Sequence, residues 1–91
     1  MDENDIGRIC ISRAGRDKGR SFAIVADGGD GYAMIADGTM RKLAKPKRKK
    51  LKHLHMTGGR LEQIGDKLRA GQKVFDAEIW SALNNAESKG E

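Results

Sequence analysis

The stretch SRAGRDKGRSFAIVADG, residues 12–28, begins as a charged loop broken by glycines and ends as an apolar run. Arg13, Arg16, Lys18 and Arg20 crowd around Gly15 and Gly19. Upstream, Ile6 to Ser12 reads as a strand, with Ile9 and Ile11 on one face and Arg8, Cys10 and Ser12 on the other. Downstream, Arg20 to Ala26 reads as a second strand, with Phe22 and Ile24 on one face and Ala23 and Val25 on the other. A strand on each side of a glycine-punctuated loop makes the chain mainly β from its start.

The next segments extend the pattern. Asp27-Gly28-Gly29-Asp30-Gly31 is a turn, followed by a strand from Tyr32 to Ala36. Asp37-Gly38 is a two-residue hairpin signal, which predicts a fourth strand over Thr39 to Leu43. Ala44 to Lys49 holds the single proline, Pro46, and reads as an exposed loop. A fifth strand is expected over Lys50 to Met56, although Leu51 and Leu54 do not alternate as a strand would. Short strands joined by tight turns suggest a small antiparallel barrel, in which closure hides the sheet edges.

At Thr57-Gly58-Gly59 the periodicity changes, so residues 1–56 read as the barrel and 57–91 as a helical C-terminal extension. Leu61, Ile64 and Leu68 recur at helical spacing up to Gly71, which fits a C-terminal cap. Asp76 is expected to cap a second helix carrying Ile79, Trp80 and Leu83, with polar residues from Asn84 onward expected to fray.

A chain of 91 residues, 37% of them hydrophobic, supports one small core rather than two. No apolar run approaches membrane-spanning length. The acidic start, Met1 to Asp5, lacks the basic-then-apolar pattern of a secretory signal, and the single cysteine, Cys10, excludes an intrachain disulfide. Together these features predict a reducing, cytoplasmic setting.

Charge is distributed unevenly. Residues 1–38 carry five basic and seven acidic side chains, and residues 61–91 carry four basic and six acidic. Residues 39–60 carry nine basic side chains and no acidic one, so this segment holds the whole positive excess. Packed lysines repel one another unless counter-ions or phosphates neutralise them. The block KPKRKKLK, residues 45–52, therefore points to a nucleic-acid partner, with a solvated surface loop as the plainer alternative. A membrane surface fits less well, because no amphipathic helix accompanies the lysines.

The glycine loop is not a P-loop: Gly19 is followed by Arg20-Ser21, and no helix begins there. Its glycines serve turn geometry, close approach to a phosphate backbone, or both. His53 and His55 share a strand face but are too few ligands for a metal, and imidazoles beside a basic block more often contact RNA. Cys10 reads as a small buried residue, and Phe22 and Tyr32 as core rather than base-stacking platforms. Trp80 reads as packing on the barrel or the first helix, with a protein contact as the alternative. Asp17, Asp27, Asp30 and Asp37 all lie in turn signals, where aspartate bonds nearby backbone. With no paired acid–base set, nucleophile relay or metal cluster in view, the sequence suggests neither catalysis nor a cofactor.

GRICISRAGRDKGRSFAIV, residues 7–25, resembles a KOW motif: an alternating strand, a glycine–x–aspartate–lysine–glycine–basic loop, and a second apolar strand. IADGTMRKLAKPKRKKLKHL, residues 35–54, and DAEIWSALN, residues 76–84, extend the likeness. Within that superfamily the chain resembles bacterial KOW-domain RNA-binding proteins. These are related to the archaeal and eukaryotic large-subunit ribosomal proteins of the fourteen-e, six-e and twenty-seven-e group. The resemblance implies an SH3-like barrel that binds structured RNA, with ribosomal RNA in a ribosome-associated or assembly context as the expected target. Gly15, Lys18, Gly19 and Arg20 match the KOW loop, and Arg41, Lys42, Lys45, Lys47, Arg48, Lys49, Lys50 and Lys52 match its basic strand–loop. Arg13, Arg16 and His53 join these as expected RNA contacts. The chain departs from the pattern in the glycine-rich turn 28–31 and in having Phe75 where a hydroxyl cap is usual. The alternative is an adaptor that docks a ribosomal or transcription protein through the barrel or the last helix.

Overall fold

In the computed structural model, which describes residues 2–89 and the side chains of 2–86, five antiparallel strands form one sheet. They are β1 (Arg8–Ser12), β2 (Ser21–Gly29), β3 (Tyr32–Ala36), β4 (Lys47–Lys50) and β5 (Leu54–Arg60), ordered β4-β3-β2-β1-β5. Helices α1 (Glu62–Arg69) and α2 (Asp76–Lys89) follow. The mainly β reading and the helical C-terminus both hold. The edge strands β4 and β5 are neighbours in sequence, separated only by a 3-10 turn, Leu51–His53. That short link forces the two edges toward each other at one corner.

β2 explains why the apolar run is unbroken. Phe22, Ala23, Ile24 and Val25 are all buried, because both faces of the sheet are covered. Phe22 and Ile24 join Cys10, Ala33, Ile35 and Leu54 in one cluster built from strands. Ala23 and Val25 join Ile9 and Ala36 beneath Leu61, Ile64, Ile79 and Leu83 of the helical segment. The second cluster ties the C-terminal helices to the sheet. Register shifts between Ile24 and Ala26, and between Asp27 and Gly29, bend β2 along its length.

Several boundaries move. β1 starts at Arg8 rather than Ile6, and β2 runs on to Gly29, so the turn shrinks to Asp30-Gly31. Both turn residues have positive φ (50° and 81°), the type I′ geometry that suits a right-twisted hairpin. The expected strand over Thr39 to Leu43 is absent. Asp37 instead accepts from the backbone N–H of Thr39 (3.0 Å) and Arg41 (2.9 Å), closing a compact loop. Leu43 N–H goes to Asp76 on α2 (2.7 Å), which removes it from any ladder. The fourth strand is Lys47–Lys50, inside the predicted exposed loop and the start of the predicted fifth strand. Leu51 and Leu54 fail to alternate because the 3-10 turn lies between them, and both then pack on the strand-built cluster. Thr57-Gly58-Gly59 lies within β5, so the division drawn at 56/57 cuts a strand.

Close backbone approach seats the helices. A Cβ on Gly7 (φ 91°) would stand 2.8 Å from Gly65 Cα of α1, and Leu61 N–H bonds Gly7 carbonyl at 2.7 Å. α1 ends as expected at Gly71 (φ 73°), where Gln72 N–H reaches back to Lys67 carbonyl. At the start of α2 the cap is Glu78, which accepts from Phe75 N–H at 2.8 Å and from Lys67 Nζ at 2.8 Å, while Asp76 is spent on Leu43. The Lys67 ammonium and this backbone bond hold the Glu78 carboxyl below its ordinary pKa. α2 continues as helix through the polar tail to Lys89.

Candidate nucleic-acid interface

The loop between β1 and β2 and the basic segment 41–53 are separate in sequence but joined in space. Arg13 N–H bonds His53 carbonyl at 2.8 Å. Lys49 Nζ bonds Ala14 carbonyl at 2.8 Å and lies 3.5 Å from where a Gly15 Cβ would project. Asp17, almost fully buried, receives Arg41 (3.4 Å) and Lys47 (3.7 Å) on the same carboxylate oxygen. Arg20 lies 3.9 Å from Asp37. Four basic side chains from residues 13–20 and eight from residues 41–53 are therefore brought into one region of the fold.

They do not share one job. In β4 the pleat sends Lys47 and Lys49 toward the loop, where they are spent on Asp17 and the Ala14 carbonyl. Lys49 is buried, so it braces the surface rather than forming it. On the other face Arg48 donates to the Gly28 and Gly29 carbonyls (2.8 and 3.3 Å) and stacks 3.7 Å from the Tyr32 ring centre. Lys50 approaches the same ring at 6.0 Å. Arg13, Arg16, Lys18, Lys42, Lys45, Lys50 and Lys52 are exposed and have no ion pair among the described residues. Gly15 and Gly19 have φ of 79° and 88°, so turn geometry alone requires them.

Asp17 is the residue that turn chemistry misread. Asp37 and Asp27 bond nearby backbone as expected, but Asp17 bridges the loop to the basic segment. An acid inside an otherwise basic loop was the available signal. Tyr32 is neither core nor a free platform, being covered by Arg48; Phe22 is core. Trp80 is 50% exposed, against the expectation that it packs. Burial pushes the Cys10 thiol up to about 12, so it stays protonated near neutral pH and is a poor nucleophile. No cluster of three or more metal-ligating side chains occurs among the described residues, and His53 lies in the 3-10 turn while His55 lies in β5, so the two do not share the expected strand face. No described helix is long and apolar enough to cross a membrane.

No protein-family model matches this chain, and no curated protein matches it.

Proposed function

We propose that this is a non-catalytic RNA-binding protein, built on an SH3-like barrel of the KOW type and acting on ribosomal RNA in a cytoplasmic ribosome-associated or assembly context. The strand order, with β4 and β5 linked by a single 3-10 turn, supports the barrel reading. One observation carries the function: Asp17 and Lys49 fasten the glycine loop to the basic segment, and Arg13, Arg16, Lys18, Lys42, Lys45, Lys50 and Lys52 of these two segments stay exposed without acidic partners among the described residues. Phosphates laid on that surface release counter-ions, which supplies affinity without sequence readout. Helical RNA hides its base edges in a deep groove, so such a surface reads shape and phosphate spacing.

Filter binding of a structured ribosomal RNA fragment across a salt series tests this. Affinity is expected to fall steeply with salt, and reversing Lys42, Lys45, Lys50 and Lys52 to Glu should abolish it. A flat salt response, or unchanged binding after reversal, rejects the reading. A second reading, an adaptor docking a ribosomal or transcription protein through α2, draws on the exposed Phe75 and Trp80. It requires that Trp80→Ala abolish ribosome co-sedimentation with RNA affinity intact.

A further inference from the structure

Trp80 stands apart from the rest of α2. Ile79 and Leu83, four residues apart, face the sheet and are buried. Trp80 is turned about 100° from Ile79 around the helix and is half exposed, so the core does not use its full surface. Trp80 lines, with Leu83 and Asn84, a groove of about 230 Å³ whose other residues are Gly19, Arg20, Ser21, Asp37 and Thr39. Gly38 makes that arrangement possible. A Cβ there would collide with the Asp76 carbonyl and lie 3.2 Å from Trp80 N, so only glycine lets the 37–39 loop press against the helix. Thr39 also lines a second groove, of about 520 Å³, with Met40, Arg41, Lys42, Lys45 and Lys47. The two grooves thus share Thr39 as a lining residue.

An aromatic face at the end of a cationic channel is the arrangement by which single strands are held: the channel follows the phosphates and the ring stacks a base. The smaller groove falls below the roughly 300–1,000 Å³ that a drug-sized ligand occupies, and suits one planar base. Arg20, about half exposed and loosely paired with Asp37, stands at the rim with a planar cation for a phosphate or a neighbouring base.

We propose that an unpaired nucleotide of the bound RNA stacks on Trp80, its backbone entering along Lys42 and Lys45. This rests on the RNA-binding reading and adds to it a preference for a single-stranded or bulged segment beside the helix.

Trp80 is the only tryptophan, so its fluorescence reports the contact directly. A short single-stranded RNA is expected to quench it, and a blunt duplex of equal length is not. Trp80→Leu keeps apolar bulk but removes the π face. It should weaken single-strand binding about 5- to 100-fold, leaving duplex binding unchanged, and Trp80→Phe should recover much of the loss. If both RNAs bind with steep salt dependence but neither quenches, or if Trp80→Leu weakens both equally, the stacking site is overturned and the RNA reading stands. Should Trp80→Leu lose a ribosomal protein instead, at full single-strand affinity, Trp80 is a protein anchor and the proposal is wrong. Failure of both RNAs to bind overturns the RNA reading and this inference with it.

Discussion

Ile79 and Leu83 of α2 close over Ile9, Ala23, Val25 and Ala36 with apolar contact, whereas the 13–20 loop is fastened to the basic segment by Asp17 on Arg41 and Lys47, by Lys49 on the Ala14 carbonyl, and by Arg13 N–H on the His53 carbonyl. The helical contact excludes water and gains free energy roughly in proportion to the area covered. The loop contact gains less, because Arg41 and Lys47 remain about one-third exposed and solvent screens their pairing with Asp17. What the loop contact provides is position. It spends a few cations to tie the loop that carries Arg13, Arg16 and Lys18 to the basic segment.

The comparison predicts that the largest stability loss comes from the helix side. Ile79→Ala should cost about 2–5 kcal/mol in urea or thermal unfolding, the range for a buried aliphatic truncation. A loss under about 1 kcal/mol, within the range of surface substitutions plus error, would mean α2 is not part of the cooperative fold. Next comes Gly38→Ala. Its φ of 85° alone costs about 1–3 kcal/mol for a residue with a Cβ, and the collision with Asp76 carbonyl adds to that. Because Gly38 is where the 37–39 loop meets the backbone of α2, circular dichroism should show α2 loosened while β-sheet signal persists. An unchanged melting temperature would show that the loop does not press on the helix.

Lys49→Ala addresses the other side. It removes a charge-assisted hydrogen bond and leaves the Ala14 carbonyl without that donor, at about 1–3 kcal/mol. Since Lys49 is buried, the salt slope of RNA binding should hold at temperatures where the variant is folded. A slope reduced as much as by an exposed lysine would mean that Lys49 reaches phosphate after all.

The parts legible in the sequence were those with local periodicity or local backbone demands. Phe22-Ala23-Ile24-Val25 sorted correctly onto two faces, and Gly71 marked the end of α1. The misread parts depend on distant partners. Asp37-Gly38 looks like a hairpin turn, yet the chain beyond it is diverted by Asp76, 33 positions past Leu43. KRKK, residues 47–50, has no apolar alternation to mark a strand; β4 is a strand because β3 offers a free edge and Asp17 and Ala14 receive its lysines. The basic residues of the site were readable as a class, since charge density is local. Their division into bracing and exposed members was not, because it turns on which ones find an acid or a carbonyl across the fold.

That division gives the smallest stability effect and the sharpest test of the comparison. Lys45 is exposed, pairs with no described acid and contributes only its backbone N–H to the turn with Lys42 carbonyl. Lys45→Gln removes the charge but keeps a polar side chain and that backbone bond, so unfolding should shift by no more than about 0.5 kcal/mol. If Lys45 meets one phosphate, the slope of log affinity against log salt should fall by about 0.7–0.9. Lys49→Ala should show the reverse pairing, lower stability with the same slope. Two variants of one residue type, four positions apart, would then separate bracing from binding. If both move stability and slope together, the exposed and buried lysines act as one network, and the loop contact is part of the binding energy instead of its scaffold.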